Sequence, residues 1–278
     1  MIVVTGATGN VGGNVVRQLL DAGERVRAVT RSPDTARLPR GVEVVRGDLA
    51  EPSTLTGAFD GAERMFLFPV PSTVDSVAEL AKASGVRRVV ALSSSAAADQ
   101  DDNPISVMHR TVERALENSG LDWTFVRPGG FATNTLSWAP SVRAESVVRA
   151  PYPDAAANLI HEADIAAVAT TALLEDGHVG ARYELTGPHS ITQAEQVQAI
   201  AAALGRDVRF EEQTPEQARR TMVEYLPAPI ADILLSYWAG SVGVPAPVLP
   251  TVEQVTGRPA RSYPEWAVDH AEDFGAPS

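Results

Sequence analysis

The sequence predicts a doubly wound, parallel α/β sheet with a smaller, mostly helical C-terminal lobe. Three observations carry this. A glycine-spaced turn joins an apolar run to an amphipathic segment at residues 3–20. Short apolar runs then alternate with helical patterns five times in the first half, the signature of strand–helix–strand units. Past residue 188 the recurring signals are helix starts: Thr192-x-x-Glu195, Thr214-x-x-Gln217 and Ser262-x-x-Glu265, each a capping box.

The opening stretch, Val3-Val4-Thr5-Gly6-Ala7-Thr8-Gly9-Asn10-Val11-Gly12, reads as strand, tight turn and helix start. Glycines at 6, 9 and 12 let backbone N–H groups approach a pyrophosphate, and the positive end of the helix dipole favours its charge. A glycine triplet alone is weak evidence; its place between strand and helix gives it weight. Gly6, Thr8, Gly9, Asn10, Val11 and Gly12 are therefore assigned to dinucleotide binding.

Val11, Val15, Val16, Leu19 and Leu20 follow helical spacing, and Gly23 can close the helix. A second strand, Arg25 to Val29, runs into Thr30-Arg31-Ser32. An acid here would grip a ribose 2′-hydroxyl, whereas Arg31 with Ser32 suits a 2′-phosphate and hence NADP, with Arg37 as helper. The alternative is a solvated loop arginine. The third strand, Val42 to Val45, leads to Asp48 and Leu49, placed to meet an adenine amino group and ring; Asp48 is equally readable as a turn aspartate. Pro52 suits the first turn of a short helix. The fourth strand, Arg64 to Phe68, continues into Pro69-Val70-Pro71-Ser72 at the carboxyl edge of the sheet, where ligands bind. Phe68, Pro69 and Val70 join the expected cofactor site.

A helix from Val74 to Ala83 and a strand from Arg88 to Leu92 follow, ending in Ser93-Ser94-Ser95. Ser93 or Ser94 would bond a substrate carbonyl or the nicotinamide, or else cap free backbone groups. The next helix, about Ile105 to Asn118, is followed by a strand, Trp123 to Val126. The chain then turns through Arg127-Pro128-Gly129-Gly130-Phe131, with Phe131 either a pocket wall or a core residue. From there to about Asn158 periodicity is poor, and Tyr152 and Trp138 are either pocket or packing aromatics. His161-Glu162-Ala163-Asp164 lacks a full ligand set, so no metal is expected. In the C-terminal lobe Tyr225, Tyr237 and Trp238 are pocket candidates, or the lobe's own core.

Several of these segments, taken together, resemble the NmrA-like branch of the atypical short-chain dehydrogenase/reductase superfamily. They are Thr5-Gly6-Ala7-Thr8-Gly9-Asn10-Val11-Gly12, Gly47-Asp48-Leu49, the serine strand end, His109…Glu113…Leu116 with Ser119-Gly120-Leu121-Asp122-Trp123-Thr124, and Arg127-Pro128-Gly129-Gly130-Phe131…Asn134. Ala163 to Ala169, Tyr183 to Pro188, Val255 to Pro259 and Glu265-Trp266 match as well. The resemblance implies a Rossmann domain binding NAD(P)(H), a smaller C-terminal lobe, and either a reductase of quinones and related compounds or a sensor of the dinucleotide. The broader superfamily's Tyr-x-x-x-Lys pair is missing; His109 stands near the Tyr position and Glu113 near the Lys position, one turn apart on one helix face. A neutral His109 can act as general acid, oriented by Glu113, or the two can simply fix the helix.

The boundaries expected are 1–150 for the dinucleotide-binding domain, with 158–187 returning to it, and 188–278 for the substrate lobe; the expected substrate-pocket residues are Phe131, Tyr152, Tyr225 and Trp238. A formal charge of −12 argues against direct nucleic-acid binding, and the absence of cysteine excludes disulfides and thiol catalysis. A motif starting at residue 3 leaves no room for a signal peptide, and no apolar run is long enough to span a membrane, so a cytoplasmic protein, monomer or homodimer, is expected. The function expected is NADPH-dependent hydride transfer to a small cyclic or aromatic carbonyl, enone or quinone, with Ser93, Ser94 and His109 at the reacting end. A dinucleotide-sensing regulator or a non-redox enzyme on the same scaffold are the alternatives.

Overall fold

The computed structural model describes residues 1–99 and 103–276. In chain order it begins β1 (Ile2–Thr5), α1 (Asn10–Asp21), β2 (Val26–Thr30), β3 (Glu43–Arg46), β4 (Arg64–Leu67), α2 (Val74–Ala83), β5 (Arg88–Leu92), α3 (Pro104–Asn118) and β6 (Asp122–Pro128). It continues through α4 (Ala139–Glu145), β7 (Val147–Ala150), β8 (Ala156–Ala157), α5 (Glu162–Leu174) and β9 (Arg182–Leu185). The remaining elements are β10 (Ile191–Thr192), α6 (Gln193–Leu204), β11 (Arg209–Glu212), α7 (Pro215–Met222), α8 (Ala228–Gly240), α9 (Thr251–Thr256) and α10 (Tyr263–Asp269).

The chain divides into two compact units. The first comprises Met1–Gly129, Glu162–Leu185 and Thr251–Arg258. Its seven strands form one sheet in the order β3-β2-β1-β4-β5-β6-β9, and every neighbouring pair is parallel. Strand order reverses between β1 and β4, the place where ligands bind in open sheets of this kind. The strands are apolar on both sides, as a sheet covered by helices requires. Val3, Met65, Leu67, Val89, Ala91 and Phe125 share one core with α2 and α3 residues such as Val77, Val112 and Leu116. The alternate positions Val4, Phe66, Val90 and Val126 are fully buried too. On this second face lie α1 and α5, packed on each other. Burying a Phe or Leu in such a core contributes about 1.5–3 kcal/mol.

The second unit comprises Gly130–His161, Thr186–Pro250 and Pro259–Ser278 as divided by its contacts. Residues 130–150, expected with the dinucleotide domain, group here. The stretch without clear periodicity holds α4, β7 and β8. β7 pairs in parallel with β11, and β8 pairs antiparallel with β10. These strands are only two to four residues long, too short for an alternating pattern to be read. All three capping boxes form: Thr192 with Glu195, Thr214 with Gln217 and Ser262 with Glu265. Trp266, Tyr263 and Phe274 centre one core with Val142, Val148 and Ile200, and a smaller cluster joins α7 to α8. No helix among the described residues is long and apolar enough to cross a membrane.

Candidate functional site

The site is built on the carboxyl edge of the first unit's sheet. Gly6 sits at φ +62°, beneath Phe68, whose Cβ would lie 2.9 Å from any Cβ at residue 6. A Cβ on Gly12 would fall 2.2 Å from the Gly6 carbonyl oxygen, so only glycine lets α1 start this close to the turn. Gly9 caps α1 without a side-chain hydrogen bond, and the first turn carries no acidic residue. The leading N–H groups of α1 therefore keep their capacity to donate and their positive field, which is what a phosphate requires. Thr5 closes the gap between β1 and β4: its hydroxyl accepts from the Phe68 N–H at 2.8 Å and donates to Phe66 O at 3.3 Å. Phe68 is half exposed, and Pro69 and Val70 are half-buried. Thr8 and Asn10 are exposed, while Val11 turns into the core.

At the ends of β2 and β3, Arg31, Arg46, Gly47, Asp48 and Thr54 line a cavity of about 340 Å³. The Arg31 side chain makes no hydrogen bond or ion pair among the described residues. Arg46 donates to the Arg31 carbonyl at 2.9 Å and reaches Asp34 at 3.4 Å. Arg46 is the residue that the sequence reading missed. Its signal was the end of a third strand beside the end of the second, two places that meet only after the ladder registers Thr30 against Arg46. Ser32 is exposed and caps a short 3-10 turn; Arg37 is exposed and outside the cavity lining. Asp48 accepts the Ala50 N–H at 2.9 Å through one carboxylate oxygen, as a turn aspartate does, and its second oxygen makes no bond among the described residues. Leu49 packs against the α2–α3 core, and Thr73 donates to its carbonyl at 2.6 Å.

The serine strand end differs from expectation. Ala91 pairs with Phe125 in the ladder, so Ser93 and Arg127 come next on the same face, under α3. On α3, Asn103 accepts from the Ile105 and Ser106 N–H groups at 3.0 Å, and Ser106, His109, Glu113 and Leu116 form the stripe that faces the sheet. The Glu113 carboxylate is fully engaged there. It accepts from Ser93 Oγ at 2.6 Å, from Arg127 Nε at 2.9 Å and from Arg127 Nη2 at 2.6 Å. All three residues are buried, and this pairing raises the Arg127 pKa, chiefly through the hydrogen bond to Glu113. Arg127 also lies 3.7 Å from Glu184 on β9. The expected orientation of His109 by Glu113 is thus absent, because a fork-shaped guanidinium outcompetes an imidazole for a carboxylate. His109 Nδ1 is buried with no partner among the described residues. Burial holds the His109 pKa below its ordinary value against the opposing pull of Glu113, which keeps the ring neutral at pH 7. Ser94 accepts the Ala96 N–H at 3.2 Å and so caps a turn.

In the second unit, Tyr152 and Trp238 each pack against the α7–α8 cluster of Ala218, Met222, Ala231 and Leu235. Tyr225 is 64% exposed and Tyr237 54%. Phe131 is half-buried and bridges to Ile160.

A model of the NAD(P)H-binding family matches residues 6–176, the span that carries the glycine turn, the arginine cavity and the serine strand end. The chain belongs to that family. It is 42% identical over 280 residues to the (4-alkanoyl-5-oxo-2,5-dihydrofuran-3-yl)methyl phosphate reductase of Streptomyces griseus, covering 99% of each chain. It is 38% identical over 287 residues to the NAD(P)H azoreductase of Xenophilus azovorans, covering 99% of this chain and 100% of that one. Among solved structures it is similar to the NADPH-dependent quinone oxidoreductase of Escherichia coli in complex with NADPH, with a TM-score of 0.80, 26% identity and 97% and 99% of the two chains covered. The NmrA-like resemblance is borne out, and the chain is an NAD(P)H-dependent oxidoreductase of the atypical short-chain type.

Proposed function

We propose that this chain is an NADPH-dependent reductase of a small, flat acceptor, a quinone, enone or azo compound. The observation that carries the cofactor reading is the pair of guanidinium groups, Arg31 and Arg46, in one cavity two short loops from an uncapped helix N-terminus. The glycine turn holds a pyrophosphate through backbone N–H groups. Arg31 and Arg46 flank a ribose 2′-phosphate, and Asp48 offers its unbonded oxygen to the adenine amino group. NADPH, when bound, supplies the hydride.

The acceptor class rests on the printed activities of the relatives and on what the chain lacks. Ser93 has its proton committed to Glu113, and no Tyr-Lys pair stands on α3. A substrate whose reduced form needs little protein-supplied acid suits such a site. His109, neutral and with a spare nitrogen, is the α3 group that can still exchange a hydrogen bond with a ligand. A small-molecule acceptor, with no nucleic acid or membrane partner, fits the charge of −12.

The test is a titration of NADPH and NADH followed by oxidation of NADPH in the presence of menadione, a cyclic enone and an azo dye. NADPH binding tighter than NADH, with turnover on one acceptor, is the expected result. Tight binding with no turnover on any acceptor would convert the reading to a dinucleotide sensor.

A further inference from the structure

The loop that leaves β2 carries an acid among the arginines. Arg31 and Arg46 line the cavity at the ends of β2 and β3. Asp34 follows in the short 3-10 turn Pro33–Thr35. That turn is built locally. Pro33 occupies its first position, where a fixed φ suits it. The Thr35 N–H donates to Ser32 O at 3.4 Å and the Ala36 N–H to Pro33 O at 3.3 Å. The Ser32 N–H donates to Thr30 Oγ1 at 3.3 Å, which ties the start of the loop to the end of β2. The Asp34 carboxylate is thereby set against Arg46, while Asp34 itself stays outside the cavity lining.

Arg46 thus has two partners of different strength. Its Nη1 donates to the Arg31 carbonyl at 2.9 Å, and its Nη2 reaches Asp34 Oδ2 at 3.4 Å. The second contact is longer than the roughly 2.7–2.9 Å of a good guanidinium–carboxylate bond. Both side chains are largely exposed, 66% for Arg46 and 88% for Asp34, so the pair is weak and yields to a stronger ligand. With Nη1 on the backbone, the Nη2–Nε edge of the fork is the side left for a phosphate, and Asp34 sits on that edge. A 2′-phosphate between Arg31 and Arg46 must displace Asp34 from it or share it with a second negative charge. A cofactor ending in a 2′-hydroxyl meets neither cost.

We propose that Asp34 is a positioning residue that competes with the 2′-phosphate of NADPH for Arg46, and so lowers the preference of this site for NADPH over NADH. This rests on the reading of the cavity as a 2′-phosphate site. Calorimetric titration of the full protein with NADPH and with NADH tests it. Asp34→Asn should bind NADPH about twofold to fivefold more tightly, the worth of one exposed ion pair, with NADH unchanged. Asp34→Glu keeps the charge and should bind both as wild type does. In an Arg46→Ala background, Asp34→Asn should gain nothing, because no guanidinium is left to contest. Unchanged or weaker NADPH binding by Asp34→Asn overturns the proposal, as does an equal gain for NADH. The same gain with Arg46 absent also overturns it, since Asp34 would then be a general repulsive charge. If wild type shows no preference and Asp34→Asn prefers NADPH, this proposal stands and the NADPH preference of the natural chain falls. If neither protein prefers NADPH, both readings fall.

Discussion

The two ends of one sheet edge treat their polar groups in opposite ways. At β1–β3, polar groups are left over: α1 starts without a side-chain cap, the Arg31 side chain makes no bond among the described residues, and Asp48 keeps a free acceptor oxygen. At β5–β6, Ser93, Glu113 and Arg127 satisfy one another in a buried network. Groups at an accessible edge that no protein atom uses are open to a ligand, whereas a closed buried network offers it none. The first end is therefore read as a binding site and the second as a brace between α3 and the sheet, even though both fall where the superfamily places functional residues.

The largest expected effect breaks the first end. In Gly12→Ala the added Cβ has no room beside Gly6 O, at 2.2 Å, so α1 must back away from the turn. Losing two charge-assisted backbone bonds to the pyrophosphate, at about 1.5–3 kcal/mol each, predicts more than about hundredfold weaker NADPH and NADH binding alike. Titration of both cofactors checks this, with circular dichroism to show that the fold is kept. Equal affinity in wild type and variant would mean that the turn does not hold phosphate.

The next effect breaks the second end and should appear in stability. Glu113→Ala leaves the buried Arg127 with only its longer contact to Glu184, a loss of about 3–5 kcal/mol. Glu113→Leu with Arg127→Met should recover most of it, since apolar replacement of a buried ion pair is often neutral. Denaturant unfolding measures both variants. If the single variant lost NADPH affinity but no stability, Glu113 would belong to the site rather than to the brace.

Arg31→Ala and Arg46→Ala sharpen the comparison within the open end. Each should weaken NADPH binding by about tenfold to hundredfold, the worth of one bond to a charged phosphate, with NADH binding little changed. Arg46 has a second task, since it also holds the Arg31 backbone. Its removal should therefore make a following Arg31→Ala less harmful than it is alone, a coupling that a double-mutant cycle reads directly.

This contrast explains how much of the molecule was legible in the sequence. The glycine turn, the strand alternation and the three capping boxes are local, so each could be read from a few adjacent residues. Asp48 and Ser94 sit where expected but bond to the backbone two residues on, which their residue types made equally readable. Arg46 and the partners of Arg127 escaped notice because strand register sets them. Thr30 must lie beside Arg46, and Phe125 beside Ala91, before either guanidinium has a neighbour. The pairing of Glu113 with His109 rests on the superfamily's Tyr-x-x-x-Lys positions and on helix spacing, and a strand residue, Arg127, takes the carboxylate instead. The short strands β7, β8, β10 and β11 are below the length at which a period shows.

The smallest effect concerns His109, which lies on the brace helix but outside the brace. Burial lowers its pKa from the ordinary 6.5, the nearby Glu113 only partly opposing it. Between the lowered folded value and 6.5 the unfolded chain therefore binds more protons at this position than the folded one. The stability associated with neutral His109 is complete above pH 6.5 and is lost as pH falls through the folded value. His109→Gln cannot titrate, so wild type should lose ground to it on moving from above to below pH 6.5. Denaturant unfolding of both proteins on either side of that pH measures the difference. The opposite sign, with wild type gaining on acidification, would mean that Glu113 dominates and that the two residues form the charged pair which the Arg127 fork otherwise prevents.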